Sequence, residues 1–179
     1  MKTSRVYLRN FVSSDLNDFY EYAKVEDVGI NAGWSAHKNI EESKKILEEF
    51  FIPNSNEYAI VEKESEKVIG SFAIKNPPED FKTLFPSDKC VEFGYVLSKD
   101  YWGKGIMTEV AKEVIRHLFD NTDITLIAID HFVTNDRSRR VIEKCGGVYY
   151  REDTFNSISL NKIFKTKKYL IRKQDYDVK

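Results

Sequence analysis

Strand-like and helix-like runs of apolar residues follow one another along this chain. Residues 5–11 (Arg-Val-Tyr-Leu-Arg-Asn-Phe) carry strand formers, and Ser13, Ser14 and Asp15 offer capping groups ahead of Leu16, Phe19, Tyr20 and Ala23 at helical spacing. After a break from Gly29 to Gly33, Asn39 can cap a second helix in which Ile40, Ile46, Leu47, Phe50 and Phe51 include pairs that share a face, until Pro53 stops it. Residues 58–61 and 68–74 flank a polar run and predict a hairpin. Pro77, Pro78 and Pro86 mark a loop of about a dozen residues, a length suited to rimming a substrate site. Residues 91–98 predict a strand, and Ile106 to Phe119 the clearest helix, with Val110, Ala111, Val114, Ile115 and Leu118 in its apolar stripe. The β-branched run over 124–133 suits a buried strand, Asn135 caps a short helix through Cys145, and Gly146-Gly147 ends it. Residues 148–155 and 163–172 then predict the two closing strands.

The predicted order is strand, two helices, three strands, helix, strand, helix, two strands, which reads as α/β or α+β with a mixed sheet. At 179 residues the chain fits one domain, 1–179. A formal charge of −1 excludes a whole-surface field aimed at nucleic acid or an anionic membrane, so any anion site must be local. Cys90 and Cys145 are too few for a disulfide framework and read as small buried hydrophobes in a reducing compartment. Charges interrupt the N-terminus before any signal-peptide core, and no apolar stretch reaches the length of a membrane span, so a cytoplasmic protein is expected. His37, His117 and His131 lack paired ligand spacing, so no metal is expected.

The candidate chemistry lies in Tyr101-Trp102-Gly103-Lys104-Gly105-Ile106-Met107-Thr108-Glu109, between a predicted strand and the strongest helix. A helix N-terminus offers unpaired N–H groups and partial positive charge, and two glycines let the backbone approach a bulky anion such as a pyrophosphate. Glycine spacing alone equally permits a plain tight turn. A Rossmann-type site fits poorly, because the third glycine is missing and the motif comes late in the chain.

The segment resembles the acetyl-coenzyme A (acetyl-CoA) pyrophosphate loop of the GNAT superfamily, Gln/Arg-x-x-Gly-x-Gly/Ala. Trp102 stands where Gln or Arg is general and Met107 where Gly or Ala is general, while Gly105 matches; this form is familiar in the RimJ/RimL-like branch. Val91-Glu92-Phe93-Gly94-Tyr95-Val96-Leu97-Ser98 is similar to the strand that splays from its neighbour and pairs with pantetheine, with Gly94 permitting a bulge or close approach. Asn135-Asp136-Arg137-Ser138 through Gly147 is similar to the family's Asn-x-x-Ser segment beside CoA, and Gly33-Trp34-Ser35-Ala36-His37 to a segment bordering the acceptor cleft. These matches are colinear over nearly the whole chain.

The resemblance implies a GNAT fold: a mixed, mostly antiparallel central sheet with a splayed strand pair, flanked by helices. It assigns acetyl-CoA to Val96, Leu97, Trp102, Gly103, Lys104, Gly105, Ile106, Met107, Thr108, Asn135 and Ser138, with Arg137, Arg139 and Arg140 available to its phosphates. It places Trp34 and His37 at the acceptor, Ser138 beside the leaving thiolate, and Glu92 or His37 as the proton acceptor. The implied reaction is direct attack by a neutral amine. A lysine amine is neutral roughly once in 2,500 molecules at pH 7 and an α-amine about a tenth of the time, so a protein N-terminal α-amine asks less of a base. A small amine (polyamine, amino acid or antibiotic) and a non-catalytic acyl-CoA-binding module are the alternatives. The sequence is silent on oligomeric state, with a homodimer left open.

Overall fold

A computed structural model describes residues 1–176, and among them no helix is long and apolar enough to cross a membrane. The strands are β1 (Val6–Asn10), β2 (Glu57–Glu62), β3 (Val68–Lys75), β4 (Cys90–Leu97), β5 (Leu126–Phe132), β6 (Val148–Ser157) and β7 (Lys162–Arg172). The helices are α1 (Leu16–Ala23), α2 (Glu26–Ala32), α3 (Ile40–Ile46), α4 (Phe81–Leu84), α5 (Ile106–Asn121), α6 (Asp136–Lys144) and α7 (Lys173–Tyr176). The strands form one seven-stranded sheet in the order β1-β2-β3-β4-β5-β7-β6. Every pairing is antiparallel except β4 with β5, whose connection runs through α5 as a parallel crossover requires.

Alternation along the strands sends side chains to opposite faces. On one face Val6, Leu8, Ile60, Phe72, Phe93, Ile127, Ile129 and Ile171 pack against the α5 stripe, whose eight apolar members are all buried, and against Ile142 of α6 and Cys145 just past its end. On the other face Ala59, Val61 and Val68 join Phe11, Phe19, Tyr22 and Ala23 around α1, with Leu47 after α3. Burial pushes the Cys145 thiol up to about 11 and also raises Cys90, consistent with two packing cysteines.

Several local expectations are corrected. The stretch from Gly29 to Gly33 is no break: Gly29 lies inside α2, which makes three helices after β1 instead of two. A Cβ at Gly29 would stand 2.6 Å from the Trp34 carbonyl oxygen, so this glycine serves close packing; Gly33, at φ +85°, is what ends the helix. Ser13 and Ser14 form a short turn without capping bonds, while Asp15 accepts from the Val12 N–H and pairs with Arg9 at 2.7 Å. The proline-marked loop folds into α4, which buries Phe81. Asn39 caps α3 as expected, its side chain accepting from the Glu42 N–H at 2.9 Å.

Of the two expectations at Gly94, a bulge or a close approach, the second holds: a Cβ there would stand 3.2 Å from Lys75 Nζ. β3 and β4 pair without interruption through Gly94; the register shift falls between β2 and β3, beside Gly70. A Cβ on Gly70 would meet the Val96 carbonyl oxygen at 2.3 Å. Gly70→Ala therefore forces β3 away from β4, and we expect a loss of about 1–3 kcal/mol of stability, read as a lower urea midpoint at unchanged m-value. An unchanged midpoint would show that β3 and β4 have slack at this position.

Candidate active site

β4 and β5 pair only from Cys90↔Leu126 to Phe93↔Ile129; beyond that, β5 continues with β7 while β4 continues with β3 alone. Along Gly94–Leu97 the β5-facing side of β4 therefore has no strand partner, and buried peptide groups need one. A cavity of about 250 Å³ opens at this splay, between α2, the N-terminus of α5 and α6.

Its floor near α5 is the glycine turn. Gly103 and Gly105 have φ of +75° and +77°, where a side chain would be strained, and Gly105 starts α5. Both glycines line the cavity together with Ile106, Met107 and Thr108, residues of the first helical turn whose N–H groups lack intrahelical partners. Lys104 does not line it: its ammonium lies over the Tyr101 ring at 5.1 Å and its carbonyl accepts from Arg5 Nη1 at 2.9 Å.

Arg5 also binds Glu109 in the first turn of α5, through Nε at 2.7 Å and its backbone N–H at 3.0 Å, and Ser4 Oγ adds a third bond at 2.9 Å. Burial opposes ionisation of Glu109, but hydrogen bonds from Thr3, Arg5 and Ser4 outweigh it and hold the carboxyl at about 2, below its ordinary 4.5. A depressed folded-state value means stability that is present above pH 4.5 and lost as pH falls toward 2. The melting-temperature advantage of wild type over Glu109→Gln is thus expected to be constant near neutrality and to vanish across that window. A pH-independent difference would mean that the carboxylate charge contributes nothing.

On β4, Val96 and Leu97 line the cavity, as does Trp102. The Trp102 indole turns inward, donating from Nε1 to the Leu97 carbonyl at 2.8 Å, while the Arg137 guanidinium stacks 4.1 Å from its ring centroid. Tyr95, which the sequence reading passed over, also lines the cavity, with Oη 2.8 Å from Ser138 Oγ. Burial raises the Tyr95 phenol far above its ordinary value, although the Ser138 hydrogen bond works the other way, so the group holds its proton. The available signal was a phenol on the same strand face as Phe93, a position that demands a buried partner.

Asn135 caps α6 by accepting from the Ser138 N–H at 3.1 Å, and its Nδ2 donates to the Asn31 carbonyl of α2 at 3.4 Å. Both Asn135 and Ser138 line the cavity; Val28, Asn31 and Ala32 of α2 close it from the other side. Arg137, Arg140 and Lys144 add three cations at its wall, whereas Arg139 is paired with Asp136 and Glu143. Free amides at a glycine turn, cations beside them and an unpaired strand edge beyond fit a long ligand with phosphates at one end and amides at the other, the donor set that acetyl-CoA needs.

Besides Lys104, three expected residues lie elsewhere. Glu92 is at the vertex of the splay on the sheet face away from α5, with Oε1 2.5 Å from Lys168 Nζ. His37 is buried, with Nδ1 2.7 Å from Ser43 Oγ, its ring against Phe19 and Trp34, and burial lowers its pKa. Trp34 packs on the α1 and α3 core. Their loop is tied to the β6–β7 turn by two bonds between Ser35 and Ser159, of 2.8 and 3.1 Å.

The sequence matches the GNAT acetyltransferase domain over residues 5–148. It is 36% identical over 55 residues to YdaF of Bacillus subtilis, provisionally assigned as a ribosomal N-acetyltransferase; that match spans 31% of this chain and 30% of the length of YdaF. The fold is similar to the ribosomal-protein-S5-alanine acetyltransferase of Vibrio fischeri, with a TM-score of 0.71 at 20% identity, covering 98% of this chain and 97% of that one. It is also similar to a spermidine N-acetyltransferase from Vibrio cholerae in complex with CoA and spermine, with a TM-score of 0.74 at 15% identity, covering 97% and 98%. With a domain match over most of its length and a splayed strand pair beside a glycine turn, the chain belongs to the GNAT acetyltransferase family.

Proposed function

We propose that this protein moves the acetyl group of acetyl-CoA to a primary amine, and that the acceptor is a protein or peptide N-terminal α-amine. The observation that carries the reading is that the unpaired edge of β4 and the glycine turn of α5 open into one cavity. Acetyl-CoA supplies the activated acetyl group when bound. In this reading the amides of the α5 first turn, with Arg137, Arg140 and Lys144, hold phosphates, and the Val96–Leu97 edge orients the chain that follows. Tyr95, kept protonated by burial and paired with Ser138, is placed to give a proton to a departing thiolate. In the same reading Glu92, on the opposite face at the vertex, takes one from an arriving ammonium.

A second acceptor class, a small polyamine, is favoured by the surplus of carboxylates on the Glu92 face. Calorimetric titration with acetyl-CoA, followed by CoA-release assays over free-N-terminal peptides and small amines, tests both. Micromolar binding with turnover of peptides is expected. Turnover of polyamines alone would transfer the reading to the second class, and binding without turnover of either would reduce the protein to an acyl-CoA-binding module.

A further inference from the structure

On the sheet face away from α5, Lys168 of β7 reaches across β5 to Glu92 of β4. The β5 residue paired with Glu92 is Ala128, whose methyl group leaves the passage open. The Lys168 side chain is 5% exposed, and its Nζ stands 2.5 Å from Glu92 Oε1 but 3.8 Å from Asp130 Oδ2. One ammonium thus serves two carboxylates, one tightly and one loosely. Among the described residues neither carboxylate has another ion-pair partner, and Asp130 remains 34% exposed.

Phe93↔Ile129 is the last rung of the β4–β5 ladder, so Asp130 is the first β5 residue past the vertex, on the sheet face opposite the cavity wall built by α5 and α6. Its charge reaches the Tyr95 phenol that lines the cavity. Farther along β7 toward the opening, on the same face, Thr166 is 1% exposed and among the described residues its Oγ1 has no hydrogen-bond partner. An orphaned buried hydroxyl is uncommon in a finished core and marks a place where a polar ligand or water completes the set. Around this centre Asp80 and Asp153 share Arg151 at 2.5 and 3.2 Å, and Lys75, over Gly94, faces the carboxylate of Glu57. Five carboxylates meet three cations, so the face has room for more positive charge.

We propose that Asp130 binds the ammonium of the acceptor amine beside Glu92 at the vertex of the β4–β5 opening, and that Lys168 is the positioning residue that sets how much carboxylate charge is left for it. This rests on the acetyl-transfer reading for its consequence, but not for its test. The probes are the free-N-terminal pentapeptide amide of five alanines, its N-acetylated twin and spermidine, titrated at pH 7 with and without saturating CoA. The free peptide or spermidine is expected to bind, and the acetylated twin not to. Asp130→Asn weakens amine binding by at least about tenfold, as loss of a charged partner to an ammonium does. Lys168→Met removes the competing cation and tightens it by at least about threefold, because the external ammonium then no longer competes with Lys168 for the two carboxylates, leaving only Lys75, across from Glu92 on β3, on that side. CoA affinity, unchanged in both variants, certifies the fold. A purely structural role for the trio would weaken amine binding in both variants, and that result overturns the proposal, as does amine affinity that Asp130→Asn leaves intact or a wild type that binds no probe. Failure of CoA to bind wild type sinks the acetyl-transfer reading separately, because the CoA-free titrations still report on Asp130.

Discussion

Tyr95→Phe lowers turnover by about a hundredfold or more, the contribution of a positioned general acid, while acetyl-CoA affinity stays near that of wild type. The substitution removes one oxygen and its two bonds to Ser138 but leaves the ring stacked on Phe72 at 6.1 Å, so ring packing is preserved. What is lost is the proton reservoir. Burial holds the phenol well above its ordinary value, so Tyr95 keeps its proton near neutrality. Ser138→Ala, by contrast, leaves Tyr95 able to donate and costs less, about tenfold on the same scale. Steady-state kcat and KM for both variants decide the matter. Equal, small effects would mean that water protonates the leaving group and that the pair is only a packing hydrogen bond.

Gly105→Pro weakens acetyl-CoA binding by at least about a hundredfold, equivalent to about 2.8 kcal/mol. Gly105 sits at φ +77°, and proline fixes φ near −65°, so the turn cannot keep its shape. Space is not the problem: a Cβ there would come no nearer than 3.8 Å to Arg5 Nη2. Gly105→Ala therefore isolates the backbone term, about 1–2 kcal/mol for a left-handed residue with a side chain, and falls between wild type and proline. Isothermal titration beside a thermal melt separates loss of site from loss of fold. Wild-type affinity in Gly105→Pro would remove the turn from the binding site altogether.

The strands and the long helix could be read from the chain because their signals are local. The α5 stripe, the Asn39 and Asn135 caps and the Gly146 stop each follow from residues within one or two turns of one another. Sequence and structure part where a contact outside the helix or strand repeat decides the outcome. Gly29 reads as a breaker until Trp34 folds back on it, and nothing near Gly70 in the chain announces the register shift beside it or the Val96 carbonyl that crowds it. The phosphate turn was accessible because backbone conformation writes itself in glycines. Tyr95 was not, since its meaning depends on Ser138 arriving from α6, 43 residues away. The position of Glu92 along a strand is legible but its company is not, and the reach of Lys168 over Ala128 has no sequence periodicity at all.

The cysteines bear on how this chemistry can be observed. A thiol held at about 11 is roughly one part in a thousand thiolate at pH 8, and the thiolate is the form that attacks disulfide reagents. Cys145 is 5% exposed, so access compounds the low reactivity, and the half-buried Cys90 is shifted in the same direction. Coenzyme released during turnover carries a free, solvated thiol that reacts at once. A continuous colorimetric thiol assay on the unmodified protein therefore runs against a nearly silent background, with no need to replace either cysteine first.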